Sequence, residues 1–293
     1  MPSHTFTRLG YWQDSIDTNI QSAEVARKVN STNEELHATD YQVYAYLQSG
    51  QDAAARALVD LAATRLRQTE TRAGAAPPAA GTYALAAIPA RYALERGDWA
   101  AAAKLEPRET RVAYADALTW FARALGASRS GDVTGARAAV DGLQKAGDRL
   151  AAEKENYWVE QVAIQRLVAS AWLALAEGDE SGALTAMREA ADREDKTEKA
   201  AVTPGPLAPA RELLGEMLLQ VKQPKAALVE FQKVMRKEPN RFRAVAGAAA
   251  AASASGNAAL ARTLRAELVK ICPRGDAPGR PELETARARK PRS

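Results

Sequence analysis

The chain has 293 residues, 46% of them apolar and only 6% aromatic, with a formal net charge of +4. Alanine, the strongest helix former, carries much of the apolar count, and Val/Ile/Thr-rich strand runs are missing, so the composition predicts an all-α protein. The charge does not predict a nucleic-acid binder: six basic and three acidic residues lie between Pro273 and Ser293, leaving +1 for residues 1–272. A nucleic-acid surface concentrates positive charge on a folded face.

No run reaches the ~18 apolar residues of a membrane span, and Met1 opens no signal peptide. Met1 as the true start implies a soluble, cytoplasmic chain; a longer precursor leaves export open. The single cysteine, Cys272, excludes an internal disulfide and a multi-cysteine metal site, and its place at a helix end before Pro273 suits a small buried apolar residue.

In chain order, Gly10, Gly50, Gly97, Gly131, Gly178 and Gly256 each fit the left-handed end of a helix, with Lys222 in the equivalent place of a sixth unit. Five residues after these turns stand Ser15, Ala55, Ala102, Ala136, Ala183, Ala227 and Ala261. Seven before them stand Ser3, Val43, Ala90, Ala124, Ala171, Gly215 and Ala249. Small side chains in fixed register let paired helices cross at close range. Turn spacings of 40, 47, 34, 47, 44 and 34 residues make the repeat irregular. The extra residues read as linkers, Arg72 to Thr82 and Arg193 to Pro206, the latter ending Thr203-Pro204-Gly205-Pro206. Pro224 opens a helix with Ala227, Phe231 and Val234 on one face.

Two copies of one pattern stand 34 residues apart: Ala227 and Phe231 with Pro239, then Ala261 and Arg265 with Pro273, preceded by Leu214-Gly215 and Leu218. This resembles the tetratricopeptide repeat, TPR. The resemblance implies an α-solenoid of about seven irregular TPR-like hairpins wound as a right-handed superhelix over residues 1–272, followed by a disordered basic tail, 273–293. The opening Met1-Pro2-Ser3-His4 through Tyr11-Trp12, the run Ile88 to Trp99, and the run Pro204 to Arg243 are similar to a family of larger bacterial TPR proteins. There the Met-Pro-Ser-His stretch lies in mid-chain, which implies that Met1 is an internal methionine and that the first hairpin is truncated. No activity follows from the resemblance.

Catalytic signatures are missing: there is no His-Glu-x-x-His, no Gly-x-Ser-x-Gly and no phosphate loop, so an enzyme, a cofactor and a metal are not expected. His4 and His37 differ by seven residues of helical offset, roughly 10 Å at 1.5 Å each, too far to share an ion. Glu212 and Glu216, four apart, read as a solvated face. The predicted site is the concave groove, lined by His4, Arg8, Tyr44, Gln48, Arg91, Glu95, Phe121, Arg129, Gln165, Trp172, Glu212 and Glu216, a set rich in the aromatic and arginine anchors of interfaces. The expected function is a scaffold that binds a protein or peptide partner there, with Phe121 and Trp172 packing between units as the plainer alternative for those two. The competing reading is a metal- or small-ligand-binding module around His4, completed by residues preceding this chain. The sequence names neither the partner nor the oligomeric state.

Overall fold

The computed structural model describes residues 2–71, 79–200 and 202–288. Among them there is no strand, and fifteen helices follow one another. They are α1 (Pro2–Leu9), α2 (Trp12–Lys28), α3 (Thr32–Gln48), α4 (Asp52–Thr71), α5 (Ala79–Glu95), α6 (Trp99–Ala103), α7 (Ala113–Arg129) and α8 (Val133–Ala152). Then come α9 (Asn156–Ala176), α10 (Glu180–Glu194), α11 (Ala210–Gln220), α12 (Pro224–Lys237), α13 (Phe242–Ala254), α14 (Ala258–Ile271) and α15 (Pro281–Ala288). Each helix packs on the next, and the odd-numbered helices from α1 to α13 also touch in sequence. Helix-on-helix packing throughout is the all-α class that the alanine-rich composition predicts.

The turns share one geometry. The six turn glycines have φ between +65° and +92°, and Lys222 has +59°. At all seven, the following residue donates its N–H to the carbonyl five residues earlier, from Tyr11 to Phe6 at 2.9 Å through Asn257 to Ala252 at 2.8 Å. This is the left-handed helix stop that satisfies otherwise orphaned carbonyls. Asp98, Asp132, Asp179 and Asn257, directly after four of these glycines, cap the next helix with their side chains. Ser15 and the six alanines of its column expose no surface at all, because each is the point where one helix crosses its neighbour.

The C-terminal third folds back on the N-terminal turns. A Cβ added at Gly10 would meet the Pro239 carbonyl oxygen at 2.2 Å, so glycine is required there for space as well as for φ. Gly50 lies against Cys272 and Leu283, and Gly97 against Arg243. The turns at Gly131, Gly178 and Gly256 meet nothing within 4 Å. The Trp12 indole donates to the Asn240 carbonyl at 2.9 Å, and Asn240 returns a bond to the Gly10 carbonyl at 3.1 Å.

This return overturns the expected disordered tail for residues 273–288. Leu283 and Ala286 of α15 are buried with Phe242, Leu268 and Cys272, and the Asp276 N–H donates to the Gly50 carbonyl at 2.9 Å. Charge counting overlooks this apolar pair, which is enough to dock one short helix. Residues 289–293 lie outside the described residues, as do 72–78 of the expected first linker. Cys272 is buried, as its sequence position suggests, and burial raises its thiol pKa to about 12.

Phe231 has no exposed surface, and its ring is clamped between Gly215 and Gly247, where an added Cβ would come within 2.9 Å and 2.4 Å of it. Phe231→Ala should therefore cost ~3–5 kcal/mol in denaturant unfolding. A loss below about 1 kcal/mol would mean that the site collapses around the smaller side chain and that the ring is not a core element.

Candidate functional site

The structure places most of the predicted groove inside the molecule. Tyr44 and Gln48 on α3, Arg91 and Glu95 on α5, Phe121 on α7, Trp172 on α9 and Glu212 on α11 are all buried. Arg129 and Glu216 are nearly so. His4 is partly exposed, and only Arg8 is open, donating to the Lys199 carbonyl at 3.3 Å. Much of the column is interior because the returning C-terminal third packs over Tyr44, Gln48, Glu95, Glu212 and Glu216.

What covers it is a set of arginines. Arg241 precedes α13 and is buried; it donates to both oxygens of Glu212 at 2.8 and 3.0 Å and to the Tyr44 hydroxyl at 3.0 Å, and lies 2.7 Å from a Glu95 oxygen. Arg91 makes a bidentate pair with Asp40 at 3.0 and 3.3 Å, across the face of Tyr44. Arg243 pairs with Glu216 and reaches the Leu94 and Glu95 carbonyls. Arg129 pairs with the other Glu216 oxygen, its guanidinium stacked between Trp99 at 3.8 Å and Trp172 at 4.3 Å. Arg280, from the expected tail, binds Asp52 and the Leu47 and Glu95 carbonyls. Glu212 and Glu216 are thus buried ion-pair partners and not the solvated face expected of them. Burial raises the Glu216 carboxyl pKa, but Arg243 and Arg129 outweigh it and hold the group at about 2. Asp40, Asp52, Arg241, Arg243 and Arg280 escape sequence reasoning, since their partners lie as many as 233 residues away along the chain.

The open feature lies beside this network. A cavity of about 310 Å³ is bounded by α5, α7, α9, the end of α12, and residues of 194–199 and 203–209. Its aromatic wall holds Tyr83, Tyr114, Tyr157 and Trp158, with Tyr114 and Trp158 stacked at 4.0 Å. Described residues of the segment read as a plain linker form part of this wall. Tyr83 donates to the Thr203 hydroxyl at 2.9 Å, Thr203 donates to the Gly205 carbonyl at 2.8 Å, and the Tyr157 hydroxyl bonds the backbone at Glu198 and Ala200. Phe121 and Gln165 line the same space. Gln161 Nε2 and Gln165 Oε1, one turn apart on α9, have no hydrogen-bond partner among the described residues.

The charges around the cavity largely satisfy one another. Lys199 pairs with Glu238, Arg211 with Asp195 and Glu230, Lys237 with Asp195, and Lys233 with Glu230. Glu194 accepts from the Ala210 N–H at 2.8 Å, and burial raises its pKa to about 7.

At the other end of the chain, His4 and His37 meet. Their Nε2 atoms are 3.3 Å apart, correcting the expected separation of roughly 10 Å. That expectation took the turns at Gly10 and Gly50 as level. The two rings instead meet through their edges, centroids 5.5 Å apart and planes at 71°, and both imidazoles pack on Tyr41. No group of three or more His, Cys, Asp or Glu suited to a metal occurs among the described residues. No described helix is long and apolar enough to cross a membrane. The chain matches no known family model and no curated protein sequence.

Because Glu216 ionises more readily folded than unfolded, its contribution, roughly 3 kcal/mol for a shift of about two units, is fully present above its unfolded pKa near 4.3. It is lost as pH falls towards 2. Arg243→Gln removes one of the two cations and should flatten the difference in denaturation midpoint between pH 5 and pH 2 relative to wild type. Parallel curves for the two proteins would show that Arg243 does not set this ionisation.

Proposed function

We propose that this chain is a binding scaffold built on a right-handed solenoid of about seven TPR-like hairpins, and that it holds an uncharged, extended peptide segment of a partner protein. The seven like turns and the fully buried small-residue column support the repeat reading. The proposed site moves from the interior column to the aromatic cavity beside it.

The observation that carries this reading is the pair Gln161 Nε2 and Gln165 Oε1. An unmade hydrogen bond at a buried polar atom costs about 1–3 kcal/mol, so a ligand that supplies both partners gains that much on binding. One donor and one acceptor a helical turn apart complement the C=O and N–H of a peptide backbone. Tyr114 and Trp158 offer a flat face for an apolar or aromatic side chain beside it. The mutual pairing of the surrounding charges gives no preference for a charged ligand. At about 310 Å³ the space lies at the small end of ligand sites, roughly 300–1,000 Å³, which suits a short anchor of a longer segment.

Peptides selected from a random library on the wild-type protein should bind Trp158→Ala at least tenfold more weakly, about 1.4 kcal/mol, and Gln165→Leu severalfold more weakly. Gln165→Leu should unfold near the wild-type denaturant midpoint, whereas Trp158→Ala loses the stack on Tyr114 and some stability. Binding is therefore compared well below the unfolding transition of each protein. Selected peptides that bind all three proteins alike would remove the cavity from the account.

A further inference from the structure

We infer that His4 and His37 form a two-imidazole site for a borderline divalent cation, Cu²⁺, Ni²⁺ or Zn²⁺, with water filling the remaining coordination positions. This inference rests on the histidine geometry alone and is independent of the peptide cavity.

Two nitrogens bound to one ion at 2.0–2.1 Å stand about 3.3 Å apart at the tetrahedral angle of Zn²⁺ and about 2.9 Å apart at the right angle of tetragonal Cu²⁺ or Ni²⁺, a closure of about 0.4 Å. The Nε2 atoms of His4 and His37 already stand 3.3 Å apart. With one Nε2 donating and the other accepting, both nitrogens now point along the line between the rings, and each needs to swing by about 35° to meet a common ion beside that line. The rings are set for such a movement. His4 stacks on Tyr41 with centroids 4.6 Å apart and 10° between planes, while His37 stands edge-on to both His4 and Tyr41. Tyr41 thus holds one imidazole by its face and the other by its edge, which limits the rotamer freedom lost on binding. His37 is buried and His4 partly exposed, so an ion and its waters reach the pair from the His4 side.

Two neutral imidazoles share one Nε2 proton in their hydrogen bond. Binding moves that proton to Nδ1 of the same ring and leaves both Nε2 lone pairs for the ion, with no net proton release at neutral pH. The setting favours the neutral form: burial first, then His37 and Arg8, lower the His4 pKa to about 4. Neutral imidazole is the ligand form, and its affinities follow the order in which Cu²⁺ exceeds Ni²⁺ and Zn²⁺. Hard ions such as Mg²⁺ prefer oxygen ligands. Cys272 lies in a separate buried cluster with Phe242 and Leu283 and cannot join the site.

Isothermal titration of the purified full chain with CuCl₂, ZnCl₂ and MgCl₂ tests the assignment, with ¹⁵N shifts of the histidine rings read alongside under Zn²⁺. The expected result is one equivalent of Cu²⁺ bound more tightly than Zn²⁺, no Mg²⁺ binding, and both Nε2 resonances shifted. His4→Ala and His37→Ala should each weaken binding at least tenfold, while Tyr41→Phe keeps it. His37→Gln, close in size, serves if His37→Ala loses its fold. Absence of saturable binding would overturn the site. So would an ion retained by both His37 variants, since it would then be held on α1 without the second imidazole.

Discussion

Arg241 is the interaction on which the rest of the structure depends. Its guanidinium ties Glu95 on α5, Glu212 on α11 and Tyr44 on α3 to the start of α13, joining parts of the chain up to 197 residues apart. A buried charge is tolerated only with near-complete hydrogen bonding, and losing one partner of such a pair costs about 3–5 kcal/mol because the other charge is stranded. Arg91, Arg243, Arg129 and Arg280 repeat the arrangement on either side, so the interior surface of the helical coil is a polar seam sealed by the chain's own C-terminal third.

Closure decides where a ligand can go. In an open helical-repeat protein the inner column of side chains is the natural contact surface. Here that column is largely consumed by internal pairing, and a cavity lies to one side, lined by α9 and by residues of 194–199 and 203–209. The same segment carries Thr203, Gly205 and Pro206, which bond Tyr83 and Arg91, so the cavity wall and the arginine seam share backbone.

The helical repeat was legible in the sequence because its signals are local. A glycine that needs positive φ, an Asp or Asn cap directly after it, and a small residue five positions on are each read within one turn of chain. Phe231 and Cys272 were legible for the same reason. Closure was not, because it rests on pairs such as Arg280 with Asp52 and Asn240 with Gly10, which follow no period. The run Asn240-Arg241-Phe242-Arg243 stood out as a motif, yet nothing in its spacing says which carboxylates it meets. Residues 273–288 misled because Leu283 and Ala286 are few among many charges. His4 and His37 misled because axial counting along separate helices does not give the distance between side chains that reach towards each other across them.

One substitution measures closure directly. A Cβ placed at Gly50 would lie 3.6 Å from that of Cys272, within the roughly 3.5–4.5 Å span of disulfides, and Cys272 is the chain's single cysteine. Gly50→Cys, at a strain of about 1–2 kcal/mol for its φ, should form an intramolecular disulfide on mild oxidation. The product would be a monomer with no free thiol that migrates faster than its reduced form on a non-reducing gel. Only disulfide-linked dimers, or two thiols that both react with a thiol reagent in the native protein, would show that the C-terminal third does not rest on the Gly50 turn, and the closed interior would have to be abandoned.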